Sequence, residues 1–351
     1  MTRDFSPGDI IFDEYRVDRL LGEGGAGTVY LVKRLSNNEL LAVKVPKTSA
    51  LENRSKKRLF FREIITWMDL PRHPNLVRCR YFKTLDETIV IFADYIEGGS
   101  LDRWIRDRRL WTLERVLNTA IQIAYGLKAS HEHGVIHQDI KPANILMSMD
   151  GQPKITDFGL ARAHELMHGD FLQNNQDFDP ESAAESRGFF TPAYGSPEQF
   201  SRRKLTRQSD IWSYGLTVLT MFTGSEQWRF GFMANEVLKT AVSSRGFKGY
   251  PDVPTQIQSI LSKCFRTRPD DRWESIESVA EALSEVYQTI VGKTLNFDSD
   301  NQDSDSKRKA AVESKDLAKT KRLEALLEIE QLDEDQKTVQ RKLDSGHHEF
   351  T

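Results

Sequence analysis

The chain carries the stretch HQDIKPAN at residues 137–144 and the triplet DFG at residues 157–159. Asn144 follows Asp139 by five residues, and Asp157 follows Asp139 by eighteen. A single Asp in a loop is usually a turn residue or a helix cap, because its short side chain bonds to nearby backbone amides. Here two carboxylates and an amide recur within one short region, and oxygen ligands of this kind suit Mg²⁺. The two stretches together indicate a functional site.

A glycine-rich segment, GEGGAGTV, occupies residues 22–29. Glycine has no Cβ, so the backbone amides of such a loop can approach anionic phosphate oxygens closely. The same pattern also occurs in simple hairpin turns and in dinucleotide-binding folds. Residues 28–32 read TVYLV, which favours a strand, whereas a dinucleotide fold would begin a helix there. Lys44 lies 22 residues after Gly22, one predicted strand later, where a phosphate ligand is needed.

Lys44 directly follows the apolar residues 41–43, in the stretch LAVK. A lysine in such an apolar strand is costly to bury without a partner. Residues 51–69 mix apolar and charged side chains with the spacing of an amphipathic helix. Glu63 lies near the middle of this helix and can pair with Lys44. The pair either belongs to a functional site or is an ordinary structural ion pair.

In this order the glycine-rich loop, Lys44, Glu63, HQDIKPAN, DFG and the triplet SPE at residues 196–198 resemble the signature set of the protein kinases. The resemblance covers roughly residues 10–290, and it is greatest to the serine/threonine branch and to bacterial eukaryotic-like kinases. It implies an α+β, bilobal protein-kinase fold with a small β-rich N-lobe and a larger α-helical C-lobe.

The predicted elements fit two lobes and a tail. The implied kinase domain spans residues 1–297, with an N-lobe at about 10–93, a hinge at about 94–99 and a C-lobe at about 100–292. Helices in the C-lobe are predicted at 101–107, 112–133, 208–223, 233–242, 255–265 and 275–291. Residues 298–351 begin with a polar acidic linker, followed at 307–343 by a charged segment with helical character that keeps no clean heptad. That segment is either a solvated helix or a surface for self-association or partner binding.

The resemblance assigns a role to each polar residue of the motifs. Asp139 would accept or orient the proton of the attacking hydroxyl, and Lys141 would neutralise the transferred phosphoryl group. Lys44, held by Glu63, would contact the α- and β-phosphates of ATP. Asn144 and Asp157 would hold Mg²⁺, with Mn²⁺ as an alternative ion.

The resemblance also implies the residues that surround ATP. Aligning the hinge on residues 95–101 places the backbone of Asp94 and Ile96 at the adenine edge and Ala93 at the position that controls the pocket behind the adenine. A shift by one residue would place Phe92 there instead. The full set of implied ATP contacts is Leu21, Gly22, Glu23, Gly24, Gly25, Ala26, Gly27, Thr28, Val29, Ala42, Lys44, Ala93, Asp94 and Ile96.

Two features depart from the family pattern. Gln138 stands where the family often has an arginine that pairs with a phosphorylated activation loop, and a neutral amide cannot make that bidentate ionic contact. This puts activation by loop phosphorylation in doubt. The segment from Asp157 to Glu198 is long, and residues 177–186 form a polar acidic insert, which is either inert or regulatory.

Composition excludes several partner classes. The chain has 351 residues and a net charge of −3, and the residues up to 297 carry 39 basic and 38 acidic side chains. A nearly neutral domain gives no electrostatic footprint for nucleic acid. No apolar run approaches the ~18 residues of a membrane span. Cys79 and Cys264 are far apart, which is typical of reduced buried thiols. We therefore expect no nucleic acid or membrane partner and a cytoplasmic location.

The sequence predicts an active serine/threonine protein kinase that uses MgATP and acts on protein substrates. The main alternative is a pseudokinase, which would hold nucleotide without turnover. Loss of Lys44, Asp139, Asn144 or Asp157 would favour it, and all four are present. A small-molecule phosphotransferase is a second alternative, and the TPAYGSPE stretch at residues 191–198 argues against it. A third is an assembly protein that acts through its tail.

Overall fold

The computed structural model describes residues 4–24, 27–46, 54–85, 88–158, 190–226, 228–243, 247 and 249–294. Its first part contains a six-stranded antiparallel sheet with the strand order β1-β2-β3-β4-β6-β5. The strands are β1 Ile10–Ile11, β2 Tyr15–Gly24, β3 Gly27–Arg34, β4 Leu40–Val45, β5 Cys79–Leu85 and β6 Thr88–Asp94. Helix α1, Arg54–Met68, lies between β4 and β5 in the chain.

The two faces of this sheet bury different side chains. Phe92 belongs to a small cluster of apolar residues on one face. Ile91 and Ala93 belong to the main core, together with residues of α1 and of the helical region. Successive residues of a strand point to opposite faces, and directly paired residues share a face. Lys44 pairs with Ile91, so it projects from the face that is turned toward the helical region.

The second part is mainly helical, apart from a hairpin of β7 (Ile145–Met147) and β8 (Pro153–Ile155). Its helices are α2 Leu101–Arg106, α3 Leu113–Glu132, α4 Pro197–Phe200, α5 Arg207–Thr223, α6 Ala234–Ser243, α7 Thr255–Cys264 and α8 Ile276–Val291. Helix α5 is buried along nearly its whole length and lies at the centre of this part. None of the helices that the structure describes has the length and apolar character needed to cross a membrane.

Local sequence signals explain most helix ends. Ser100, Thr112 and Ser275 are N-caps whose hydroxyls accept the backbone N–H three residues on, at 3.1–3.3 Å. Gly224 and Gly292 end α5 and α8 with φ of 83° and 70°, a conformation in which glycine carries no Cβ penalty.

The predicted architecture is confirmed: a β-rich part precedes a larger helical part. The six helices predicted in the C-lobe all exist, with ends that differ by one residue at most from those predicted, and the helix predicted at 51–69 is α1. The sequence analysis missed β5, because the segment CRYFKTL alternates apolar and charged residues only weakly. It also missed the short helix α4, which has only four residues.

Candidate active site

A buried carboxylate anchors the 137–144 loop. Asp210 is fully buried on α5 and accepts hydrogen bonds from the backbone N–H groups of His137 and Gln138, each at 2.8 Å. The Nε2 atom of His131 lies 2.8 Å from the same carboxylate. Burial alone would raise the pKa of Asp210, but its contacts with His131 and with His137 hold that pKa below its usual value. This bonding fixes the loop, in which Gln138 has the uncommon φ of 71°.

Asp139 lies at the centre of a polar cluster. Its Oδ2 accepts from Lys141 Nζ at 2.6 Å and from Asn144 Nδ2 at 3.0 Å, and its Oδ1 accepts from the backbone N–H of Thr191 at 3.1 Å. Lys141 Nζ also donates to the hydroxyl of Thr191. The carboxylate of Asp139 is therefore held in one orientation by three donors from two chain segments.

Asp157 and Lys44 form a second polar pair. Asp157 follows β8 in a strained conformation with φ of 66°, and its Oδ2 lies 2.9 Å from Lys44 Nζ. The next residue, Phe158, is fully buried with its ring centroid 4.7 Å from that of His137. The carbonyl oxygen of Thr156, the residue before the DFG triplet, lies 2.8 Å from His137 Nε2. This contact joins the start of the triplet to the 137–144 loop.

The polar groups fit a divalent cation that is shared with phosphates. Asn144 uses Nδ2 as its donor to Asp139, which leaves Oδ1 as a ligand, and Asp157 supplies a carboxylate. Oxygen ligands of this kind are those that Mg²⁺ prefers when a substrate completes its shell. Within the described ranges, no group of three or more His, Cys, Asp or Glu side chains could hold a metal ion by itself. The residues therefore fit an ion that arrives with a nucleotide.

The glycine-rich segment forms a hairpin between β2 and β3, with Gly24 paired to Gly27. Gly27 has φ of 137°, and a Cβ there would lie 2.3 Å from the Val45 carbonyl oxygen, so the fold itself requires this glycine. A Cβ on Gly22 or Gly24 would meet no described atom within 4 Å. A side chain at either position would therefore enter open space without a clash with the described residues. The predicted contacts Gly25 and Ala26 lie outside the described residues.

Strand register separates the two alternatives for the pocket behind the adenine. Ala93 pairs with Ala42 and shares its face, which is also the face of Lys44. Phe92 pairs with Val43 on the opposite face, where its ring packs 4.8 Å from those of Tyr15 and Tyr81. Phe92 therefore lies on the face away from Lys44, whereas Ala93 lies on the same face as Lys44.

A buried ion pair braces the helical part. Arg272 NH1 and NH2 donate to Glu198 Oε1 and Oε2 at 2.7 and 2.8 Å, and the two side chains are 0% and 4% exposed. The guanidinium also lies 4.8 Å from the ring centroid of Trp212. Burial alone would raise the pKa of Glu198, but Arg272 lowers it below the usual value. Further partners of the pair include the Ser209 hydroxyl and the carbonyls of Arg266 and Gln208, so the pair is part of the scaffold.

The structure brings Asp139, Lys141 and Asn144 into contact, and it also brings Lys44 into contact with Asp157. Glu63 lies half buried on α1, and its predicted pairing with Lys44 stays a prediction. Sequence reasoning missed that Thr191 contacts both Asp139 and Lys141, and that Gln199 donates to the Gln138 carbonyl at 2.8 Å. The TPAYGSPE motif was the available signal for the first contact. Gly159, the acidic insert at 177–186 and the tail at 298–351 lie outside the described residues.

The sequence matches a family model described as "Protein kinase domain" over residues 15–287. Among curated proteins, it is 31% identical over 291 residues to "Serine/threonine-protein kinase PkaA" of Streptomyces coelicolor, covering 79% of this chain and 50% of that protein. It is 30% identical over 279 residues to "Ribosomal protein S6 kinase alpha-1" of Rattus norvegicus, covering 78% of this chain and 35% of that protein. The chain therefore spans half or less of the length of these relatives.

Among solved structures, the PknI kinase domain of M. tuberculosis has a similar fold. The TM-score is 0.59 and the sequence identity 22%, and the alignment covers 80% of this chain and 98% of that one.

Proposed function

Since this chain belongs to the protein kinase domain family, we propose that it is an active serine/threonine protein kinase that transfers the γ-phosphate of ATP to protein hydroxyls. The observation that carries the proposal is the cluster around Asp139, in which Lys141, Asn144 and Thr191 all contact one carboxylate. A pseudokinase would have no need to keep this set intact.

The proposed chemistry uses each member of the cluster. The Asp139 carboxylate accepts or orients the proton of an incoming Ser or Thr hydroxyl. Lys141, whose Nζ lies 2.6 Å from Asp139, places a positive charge beside the oxygen that attacks and the phosphoryl group that moves. The bond from the attacking oxygen to the γ-phosphorus forms as the bond from that phosphorus to the leaving ADP breaks. Thr191 contacts both side chains, which supports a hydroxyl substrate arriving along this segment.

Nucleotide binding is assigned to the sheet face and to the end of β6. Lys44 would contact the α- and β-phosphates, and the backbone of Asp94 and Ile96 would contact the adenine edge. Lys44 Nζ lies 2.9 Å from Asp157 Oδ2, and this contact keeps Lys44 beside the proposed cation ligands. A divalent cation held by Asn144 and Asp157 would neutralise part of the phosphate charge. We propose Mg²⁺ as that ion, with Mn²⁺ as an alternative.

The direct test is transfer of labelled phosphate. Purified protein, labelled ATP and Mg²⁺ are incubated with a panel of host proteins, and phosphosites are mapped by mass spectrometry. We expect phosphate on Ser or Thr and none in reactions without Mg²⁺. Nucleotide binding without any transfer, to itself or to the panel, would favour a pseudokinase. Cytoplasmic location and self-association through residues 307–343 stay predictions.

The adenine pocket gives a prediction about inhibitor size. Because Ala93 has only a methyl group, the wild-type protein is expected to accept adenine-site inhibitors with a bulky aromatic group aimed past the adenine. Ala93→Phe fills that space, and forcing a ring into a packed site costs on the order of 1–3 kcal/mol, or roughly 10- to 100-fold in affinity. The measurement is the inhibition constant of a bulky and of a compact inhibitor on both proteins.

The compact inhibitor is the control, since it does not enter the rear space. Its constant and the affinity for ATP should change little in Ala93→Phe. An equal loss for both inhibitors would indicate general damage to the pocket. No loss for either would mean that Ala93 does not control the rear pocket.

Regulation by loop phosphorylation is expected to be weak. With Gln138 before Asp139, no arginine at this position can bind a phosphorylated loop residue. Phosphatase treatment should therefore leave the transfer rate within a few-fold, whether phosphate was on Ser182, Ser186 or Thr191. Mass spectrometry verifies the removal. A collapse in rate that rephosphorylation restores would contradict this prediction.

A further inference from the structure

Gln199, the third residue of α4, contacts the backbone of the 137–144 loop. Its Nε2 atom donates to the Gln138 carbonyl oxygen at 2.8 Å, and the residue is only 9% exposed. Gln138 directly precedes Asp139, to which the proposed reaction assigns the proton of the attacking hydroxyl. The contact therefore links the chain segment that ends in α4 to the backbone beside the reacting carboxylate.

The orientation of the Gln199 amide follows from its other contacts. Its Oε1 accepts from the backbone N–H of Ser196 at 2.9 Å and from the Ser196 hydroxyl at 3.1 Å. A side-chain amide has one oxygen that accepts and one nitrogen that donates. Because two donors face Oε1, the nitrogen is the atom that faces the Gln138 carbonyl. Ser196 is the N-cap of α4, so the contact is anchored at the start of that helix.

The backbone of Gln138 has a conformation that needs support. Its φ of 71° lies in a region that residues other than glycine seldom adopt. Such a conformation persists where the surrounding structure holds it. The backbone N–H of Gln138 donates to Asp210 Oδ1 at 2.8 Å, and its carbonyl accepts from Gln199. Gln138 is therefore held on one side by α5 and on the other by α4.

Gln199 holds the peptide group that joins Gln138 to Asp139. The carbonyl oxygen of this group accepts from Gln199 Nε2, and its N–H donates to His137 Nδ1 at 3.3 Å. Because a peptide group is planar, fixing these two atoms fixes the plane from which the Cα of Asp139 continues. A rotation of the plane would move the Asp139 carboxylate relative to Lys141, which now lies 2.6 Å from it.

Thr191 holds the same aspartate from the same chain segment. Its backbone N–H donates to Asp139 Oδ1 at 3.1 Å, and it lies eight residues before Gln199. One contact therefore fixes the carboxylate, and the other fixes the backbone that carries it. An acceptor hydroxyl has to meet this carboxylate at hydrogen-bond distance, so the rate of transfer depends on where the carboxylate is held.

We propose that Gln199 is a positioning residue for phosphate transfer, which acts through the peptide group between Gln138 and Asp139. This role presupposes the proposed kinase activity, and it adds a residue on which the rate depends. No bond forms or breaks at Gln199 itself. Loss of its donor lowers kcat and leaves ATP affinity unchanged, because its side chain contacts the loop that carries Asp139 and the start of α4.

Gln199→Glu tests this role with a side chain of the same size in the full-length protein. An oxygen replaces Nε2, so the Gln138 carbonyl loses its donor, while the acceptor for Ser196 is kept. We expect the rate of transfer onto casein, and onto the chain itself, to fall about 10- to 100-fold, as a displacement of about 1 Å at a reacting group can produce. The dissociation constant of ATP, measured by a binding titration on the same preparation, should not change.

Gln258→Glu is the matched control. Gln258 Nε2 donates to the Val253 carbonyl oxygen, also at 2.8 Å, in a contact of α7 outside the cluster around Asp139. This variant loses the same kind of hydrogen bond and should keep the wild-type kcat. Gln199→Met is a second variant, which removes the donor without adding a charge, and it should lower kcat by less than Gln199→Glu. Rates are compared at a temperature where thermal scans show every variant folded.

Hydrogen exchange gives a readout that needs no phosphate transfer. The backbone N–H groups of Gln138 and Asp139 should exchange faster in Gln199→Glu than in wild type or in Gln258→Glu, because the peptide plane is released. An inactive wild-type chain would overturn the proposed kinase activity, whereas unchanged exchange in Gln199→Glu would overturn the positioning role.

Two kinetic results would also overturn the positioning role. The first is a wild-type kcat in both Gln199→Glu and Gln199→Met. The second is a loss that Gln258→Glu shares, or a loss of ATP affinity in proportion to kcat, since either would mean that Gln199 contributes only to general stability. A fall in kcat confined to the Gln199 variants, with ATP affinity kept and exchange faster at the 137–144 loop, supports it.

Discussion

Replacing Asp139 with Asn is expected to lower the rate of phosphate transfer by a factor of about 10²–10⁴, which is the usual contribution of a positioned general base. The amide cannot take the proton of the attacking hydroxyl, and its NH₂ group cannot accept from Lys141 Nζ or from the Thr191 N–H. ATP affinity should stay nearly unchanged, because the carboxylate organises the nucleophile. The measurement is transfer rate and nucleotide affinity on the same preparation.

Asp157→Asn is the matched control, since it makes the same chemical change one motif later. It should lose Mg²⁺-dependent ATP binding, because Asp157 is assigned to the cation and contacts Lys44 at 2.9 Å. The two variants therefore separate the two roles. Near-wild-type transfer by Asp139→Asn would show that Asp139 is not the residue that handles the proton.

Arg272→Met is expected to reduce the free energy of unfolding by about 3–5 kcal/mol, the usual result of leaving one partner of a buried ion pair unmatched. Glu198 is only 4% exposed, and without Arg272 it keeps the hydroxyl of Ser209, 2.8 Å from its Oε1, as a donor. The substitution also removes donors from the carbonyls of Arg266 and Gln208. Urea unfolding of variant and wild type measures the difference.

Two controls test the physical reason. The double variant E198L/R272M should be less destabilised than Arg272→Met alone, because it removes the stranded charge as well. Arg268→Met, at an exposed position nearby, should change the unfolding free energy by no more than about 0.5 kcal/mol. A single variant that loses less than 1 kcal/mol would mean that the Glu198 carboxylate finds solvent or another donor, and that the pair contributes little.

The chemistry of the site was readable in the sequence because it depends on residue types at short spacings. HQDIKPAN and DFG supplied the carboxylates, the lysine and the amide, and the interval between them predicted that they share a site. The helices other than the four-residue α4 were also predictable from their apolar periodicity and, for most of them, a capping residue at one end or the other. The three groups that contact the Asp210 carboxylate beneath this loop could not be named from the sequence.

The strand register was not readable in this way. Ala93 and Phe92 are adjacent and both apolar, so the sequence left open which of them faces the cleft. Because side chains alternate, a shift of one residue in pairing reverses every face of the strand. The pairing of Ala42 with Ala93 settles which side chains lie on which face.

The sequence by itself therefore determined the reacting groups, the two-part architecture and the resemblance to one family, because each rests on local patterns. Only the tertiary structure decided which distant groups meet. Thr191 contacts Asp139 from 52 residues away, and Lys44 of the sheet contacts Asp157 of a separate motif. Such contacts depend on how whole strands and helices pack together, which short patterns in the sequence do not specify.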